Sequence, residues 1–361
     1  LVSYLQRLMW VMTGNFGREG TNYLPQGFGG LGSGHRMGKS PVTGAPIISG
    51  LIPCNSVAEE ILNDHPDRFR AMIIDSANPV HSLAESEKFR QAMRNLDCTV
   101  VIDVAMSETA RKADYILPTA NQYEKAEAAF FNFEFPDNYF HIRHPLFEAP
   151  AGLLPEAEIH ARLIEAMGAM PEALVKELDG SLDQGMAEFT NKIFEAIGKD
   201  PELMGIAPVL LYRTLGKKLP EGMAHSAGFW AMAQEFAMGQ PAAVNRAGIE
   251  DKGEGLGNAL FEALISSPSG VVFSSESWES MWERIANNGK LNIANPELLA
   301  EVDVLKQGAP SETTDKYPFL LSAGERRAFT ANTIVRDPEW RRKDKEGALL
   351  INPEDAARLN L

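Results

Sequence analysis

The stretch "VVIDVAMSETARKADYILPTANQYEK", residues 100–125, decides the fold. A continuous apolar strand, Thr99 to Asp103, ends on a carboxylate. A Ser-x-Thr cluster (Ser107, Thr109) opens a short helix to Lys112, and a second apolar strand, Asp114 to Leu117, stops at a proline. Upstream, a helix over Val57 to Asn63, a strand over Ala71 to Asp75 and a helix over Leu83 to Leu96 continue the alternation. Helices alternating with unbroken apolar strands predict an α/β fold, a doubly wound and mostly parallel sheet with helices on both faces. Such sheets take ligands beyond the carboxyl ends of their strands. Those ends read "DSANP" (Asp75 to Pro79), "DVAMSET" (Asp103 to Thr109) and "LPTANQYEK" (Leu117 to Lys125), all polar.

Working toward the C-terminus, "AAFFNFEFPDNYFHIRHPLFEAP" (Ala128 to Pro150) alternates aromatic and polar residues in two runs split by Pro136, Asp137 and Asn138, which predicts a hairpin. Helices are expected at Glu156 to Met167 and Pro171 to Ile197, with a helical but interrupted stretch from Pro201 to Pro268. A strand at Gly270 to Ser274 and a helix at Ser277 to Asn287 are expected to restore an α/β unit. A polar linker, Lys306 to Lys316, precedes a strand over Pro318 to Ser322. The domain expectation is an α/β region over 1–305, containing the 128–150 hairpin and a mainly helical 170–268. An incomplete β-rich, barrel-like domain is expected over 306–361. Toward the N-terminus, a helix over Leu1 to Met12 runs into a glycine-dense loop, Thr13 to Gly38, of the kind that lets backbone amides approach an anion or an extended ligand. The chain opens within a helix on a residue other than Met and stops straight after "NPEDAARLNL", so it is expected to be an excerpt of a longer protein.

A formal net charge of −15 repels nucleic acid and anionic lipid, which argues against a nucleic-acid role. No apolar run approaches the ~20 residues that span a bilayer, so membrane insertion is not expected. Two cysteines, Cys54 and Cys98, lie far apart without a C-x-x-C, which fits a reduced cytoplasmic setting and gives neither a disulfide framework nor a cysteine-held metal. The seven histidines show no metal-binding spacing, and no phosphate-binding loop or nucleophile elbow occurs. "GFGGLGSG", residues 27–34, follows no strand and so supplies no dinucleotide fingerprint for an NAD-dependent dehydrogenase.

Helix capping accounts for Ser107, and Asp114 starts a strand. Asp103 is different: it ends an apolar strand with a carboxylate suited to the paired N–H donors of a guanine or to a ribose hydroxyl. Lys125 stands beside the same strand ends, where an ammonium would balance phosphate charge. Arg326, Arg327, Thr330, Asn332, Thr333 and Arg336 gather after a strand-Gly turn in an otherwise acidic chain, a setting for phosphate recognition.

Together, "MIIDSANPVHS", "VVIDVAMSETARKADYILPTANQYEKAEAAFFNFE" and "YPFLLSAGERRAFTANT" resemble the molybdopterin oxidoreductases of the dimethyl sulfoxide reductase and formate dehydrogenase type. The resemblance is strong over 1–168, clear again over 317–361, and faint between. It implies a bis(molybdopterin guanine dinucleotide) cofactor with molybdenum at its centre, a small-molecule substrate and a redox partner protein or subunit. Carried over by position, Asn78, Asp103 and Lys125 match residues holding a guanosine or phosphate end. Thr109 and Asp114 belong to the same signature, Glu156 matches an acidic cofactor-contacting position, and Gly324, Arg326, Arg327, Thr330 and Asn332 match the turn of a cofactor-covering C-terminal domain. The family's metal ligand and its 4Fe-4S cysteines are expected upstream of Leu1, so no residue here is assigned to metal. Where formate dehydrogenases carry a substrate-facing Arg-Gly pair, this chain reads Pro25, Gln26, Gly27, which argues against formate itself and leaves Gln26 as the residue nominated near the substrate. Glu127 stands where the family usually has glycine. The resemblance thus implies a fragment of a molybdenum-dependent oxidoreductase, with a non-catalytic scaffold subunit of an electron-transfer complex as the alternative.

Overall fold

The strand ends that carry the polar clusters are built from few residues. In the structure, a computed structural model, residues 1–29, 38–48, 50–130, 132, 134–285, 290–308, 313–322 and 349–361 are described. In chain order they form α1 (Val2–Met12), β1 (Gly38–Lys39), β2 (Pro46–Ile47), α2 (Val57–Leu62), β3 (Ala71–Asp75), α3 (Pro79–Ser82), α4 (Ser86–Asn95), β4 (Cys98–Asp103) and β5 (Tyr115–Pro118). There follow β6 (Glu127–Ala129), β7 (Asp137–Arg143), α5 (Glu156–Ala166), α6 (Glu172–Leu182), α7 (Met186–Lys199), α8 (Ala207–Arg213), α9 (Phe229–Gly239), α10 (Pro241–Arg246) and α11 (Leu256–Ser266). The last elements are β8 (Val271–Ser275), α12 (Trp278–Glu283), α13 (Pro296–Lys306) and α14 (Pro353–Arg358).

These elements make an α/β architecture that packs as two compact units. One draws its described residues from Leu1–Met37, Ile48–Leu51 and Leu117–Ala309, the other from Gly38–Ile47, Ile52–Ile116 and Pro310–Leu361. In the second unit β3 and β4 pair in parallel, from Ala71 opposite Cys98 to Asp75 opposite Ile102, and β5 lies on the far side of β4. Side chains alternate across the strands, so Ile74 and Val101 turn inward onto Ile61 of α2 and onto Phe89, Ala92 and Met93 of α4. Those last three residues fall at i, i+3 and i+4 and so form one helical stripe.

The core of the first unit is larger and mostly helical. It gathers Phe140 and Ile142 of β7, Phe273 of β8, Leu178, Phe189 and Ile193 of α6 and α7, and Trp230, Leu260 and Phe261 of α9 and α11. The expected hairpin is present as β6 against β7, antiparallel with Glu127 opposite Arg143. β8 does not join a parallel α/β unit. It pairs antiparallel with the other edge of β7, Asn138 opposite Ser274, because β7 alternates buried and half-buried residues and needs both neighbours to bury that face. The single helix expected over Pro171 to Ile197 is two helices, since the chain turns between them at Gly185 with φ of 125°, a conformation a helix cannot hold. The short helix expected from Ser107 is only a 3-10 turn at Ala110–Lys112. Pro318 to Ser322 is not a strand: Leu320 and Leu321 stay exposed, and the described residues offer them no strand to pair with. The rest of the expected barrel-like domain lies largely outside the described residues.

Candidate functional site

Two polar clusters arise where the sequence places them at strand ends, one in each unit. In the second unit, Ser76 extends the parallel ladder by donating its N–H to Ile102 O (2.9 Å), and Asn78 then stands at the N-cap of α3. The Asn78 side chain does not cap that helix. Its Oδ1 accepts from both the N–H (3.1 Å) and the hydroxyl (2.7 Å) of Thr109, while its Nδ2 donates to Glu108 Oε2 (2.7 Å). Thr109, fully buried, in turn accepts the Val80 N–H at 3.1 Å, so its hydroxyl supplies the partner that the first turn of α3 lacks.

Asp103 ends β4 as expected, but its carboxylate is engaged. Oδ1 accepts from Ala105 N–H (3.1 Å) and Oδ2 from the Ser107 hydroxyl (2.8 Å). Ser107 Oγ accepts from Ala110 N–H (3.2 Å), the capping role its sequence position foretold. Asp114 sits elsewhere: its carboxylate accepts from Thr99 N–H (2.7 Å) and its own N–H donates to Thr99 O (3.0 Å), at the start of β4. At about 3.3 Å per residue, Thr99 and Asp103 are about 13 Å apart along the strand. The structure therefore brings Asn78, Asp103, Ser107 and Thr109 together at the carboxyl ends of β3 and β4, and leaves Asp114 at the opposite end of β4 as a ladder residue.

In the first unit, Lys125 is largely buried and ion-paired with Glu156, the first residue of α5, where the helix dipole favours a carboxylate. Glu127 lies 4.0 Å from the same ammonium. His225 joins them from a stretch that the sequence left without chemistry. Its Nε2 lies 2.7 Å from Ala126 O, so with a carbonyl as partner this nitrogen carries the proton. Burial and the nearby Lys125 charge push the imidazole below its ordinary value, outweighing the Ala126 hydrogen bond and the Glu156 and Glu127 carboxylates. No spacing in the sequence singles out His225; only the fold brings it to residues 99 positions away.

The described part of the glycine-dense loop is fastened. The Arg284 guanidinium donates to Leu24 O (2.8 Å) and Pro25 O (3.4 Å), and Trp282 Nε1 donates to Gly17 O (2.8 Å). Gln26 N–H donates to Oδ1 of Asn138 (3.3 Å), a buried amide that itself donates to Ser274 Oγ (3.0 Å). Gln26 is half-buried and lines a pocket of about 190 Å³ with Met232, Glu235, Phe236 and Gln240. Gly324, Arg326, Arg327, Thr330 and Asn332 lie outside the described residues. Among the described residues no cluster of His, Cys, Asp and Glu could hold a metal ion, and no helix is long and apolar enough to cross a membrane.

Comparison with known proteins gives this geometry a context. The family model for molybdopterin oxidoreductase matches residues 8–164. The probable oxidoreductase YyaE of Bacillus subtilis is 30% identical over 117 residues, 32% of this chain and 17% of that protein. The F420-dependent formate dehydrogenase 2 subunit alpha of Methanococcus maripaludis is 27% identical over 53% of this chain and 30% of its own length. A trimethylamine-N-oxide reductase of Pasteurella multocida is 23% identical over 87% of this chain and 35% of its own length. The chain thus spans between 17% and 35% of the length of these relatives.

Proposed function

We propose that this chain, whose residues 8–164 match the family model for molybdopterin oxidoreductase, is part of a molybdenum-dependent oxidoreductase that binds bis(molybdopterin guanine dinucleotide). The observation that supports this reading is the rim at the carboxyl ends of β3 and β4, where Asn78, Asp103 and Thr109 meet at the place where parallel sheets take ligands. The donor set fits a nucleotide end. The Asp103 carboxylate has lone pairs beyond the two hydrogen bonds it accepts and can take the N–H groups of a guanine. Asn78 and Thr109 lock each other, so the rim is shaped before a ligand arrives.

Lys125 supplies the cation for a phosphate in the same reading, with Glu156 holding it in place until then. Gln26, neutral and half-buried, is the residue nominated to face a small substrate; with no charge to offer, it favours an uncharged substrate over formate. Gly324, Arg326, Arg327, Thr330 and Asn332 belong to this proposal through the sequence resemblance alone. When bound, the cofactor would supply the two-electron redox chemistry for a small substrate. The chain's own task is orientation and electrostatics.

The test is elemental analysis of the purified full-length protein combined with release of its nucleotide. Bound molybdenum with guanine nucleotide, and loss of the nucleotide on Asp103→Ala, are expected; absence of both from a folded protein overturns the proposal. A second reading, a scaffold subunit that keeps the fold without the cofactor, is favoured by one feature: Asp103 and Lys125 both have their charges engaged within the chain. A folded protein devoid of molybdenum and of nucleotide is its expected outcome.

A further inference from the structure

The first unit holds a second cavity, of about 640 Å³, that the nucleotide reading does not use. Tyr4, Leu8 and Val11 of α1, at spacings that put them along one side of the helix, form one wall that Trp10 extends, and all four are half-buried. Phe16 and Leu24 of the glycine-dense loop form another, and Ile293 a third. Tyr4 ties two walls together by donating its hydroxyl to Ile293 O at 2.5 Å. A pocket of this size with mainly apolar and aromatic walls is the usual form of a small-molecule site.

Its electrostatics are unlike those of the rest of the chain. Residues 1–18 contain no Asp or Glu, although the whole chain has 49 of them. Arg7 is the charged residue that lines the cavity, and it has neither an ion pair nor a hydrogen bond among the described residues. An unpaired guanidinium over an aromatic cavity offers a fork for a carboxylate or sulfonate next to a surface for a flat ring. We propose that this cavity binds a planar aromatic anion, with its ring system among the apolar walls and its charged group at Arg7. The proposal goes beyond the cofactor reading and stands or falls separately from it.

Equilibrium dialysis of the purified protein against 2-naphthoate and against the neutral analogue 2-naphthalenemethanol tests it. Saturable binding of one molecule of 2-naphthoate per chain is expected, about tenfold tighter than the neutral alcohol. Arg7→Gln, at an exposed position, is expected to weaken 2-naphthoate about tenfold and leave the alcohol unchanged. Val11→Trp, which fills the cavity, is expected to abolish binding of both while circular dichroism shows the fold retained. Equal affinity for acid and alcohol, an unchanged affinity in Arg7→Gln, or no saturable binding overturns the proposal. None of these outcomes depends on whether molybdenum or nucleotide is present.

Discussion

Thr109 gives both of its donors, the backbone N–H and the hydroxyl, to one atom: Oδ1 of Asn78, 31 residues earlier in the chain. That double bond to a single acceptor holds the chain after β4 against the chain after β3. Asn78→Ala removes the acceptor and strands two buried donors, so stability is expected to fall by roughly 2–3 kcal/mol, read from the midpoint of urea unfolding. Thr109→Ser keeps both donors and is expected to cost less. A loss on Asn78→Ala no larger than that on Thr109→Ser would show that the two hydrogen bonds to Oδ1 contribute little.

Glu60 makes a sharper pH prediction. This fully buried carboxylate accepts from Val42 N–H (3.0 Å), Thr43 N–H (3.0 Å) and the Thr43 hydroxyl (2.5 Å), which ties the β1–β2 turn to α2. Burial opposes its ionisation, but the hydrogen bonds from Ser40, Thr43 and Val42 outweigh burial and hold it below its ordinary 4.5. A depressed carboxylate stabilises the fold above the unfolded value and loses that contribution as pH falls through the folded one. Glu60→Gln is expected to lower stability at neutral pH by roughly 1.5–3 kcal/mol and to flatten the acid limb below pH 4.5. Thermal melts at several pH values measure both effects.

His225 titrates in the same direction for a different reason. Its imidazole is held below 6.5 chiefly by burial, so as the pH drops the unfolded chain takes up the proton first. Stability is therefore full above pH 6.5 and declines below it, as the neutral buried ring must either charge or leave its site. His225→Asn is expected to remove that slope while keeping a donor for Ala126 O. An unchanged slope in unfolding between pH 5 and 7 would rule His225 out as its source.

Gly17 adopts a φ of +76°, and an added Cβ would run into the ring of Trp282, whose indole N–H is fixed on Gly17 O. Gly17→Ala combines left-handed strain with overpacking and is expected to destabilise by roughly 2–4 kcal/mol. Gly20, also at positive φ but with open space around it, is the control, and its alanine variant is expected to cost only the conformational share. Chemical unfolding followed by Trp fluorescence separates the two.

Much of the second unit was legible in the sequence. "AMIID" reads as a strand and is one from Ala71 to Asp75, because a short unbroken apolar run between turn signals leaves little choice. The polar cluster after β4 was legible for the same reason, since strand ends are where the apolar run stops. Asp114 stands at the start of a strand as its pattern indicates, but a local pattern does not show that the residue meets Thr99 at the start of the neighbouring strand. His225, Glu60 and the pairing of β8 with β7 were out of reach, since each finds its partner through contacts distant in sequence. The break at Gly185 was missed because the apolar pattern of α6 resumes in α7 after the turn, so periodicity alone bridges it.

The pairing of β7 with β8 sets the order in which this protein can be made. Asn138 and Ser274 share a hydrogen bond across a sequence separation of 136 residues. A chain emerging from the ribosome can join β6 to β7 early, but the other edge of β7 must wait until residue 275 has cleared the exit tunnel. At about 5–20 residues per second, that delay lasts roughly 7 to 27 seconds. During it, Phe140 waits for Phe273, and a bare strand edge is open to other chains. Slower synthesis downstream of Arg143 would lengthen that exposure and lower soluble yield, with no change to the finished protein.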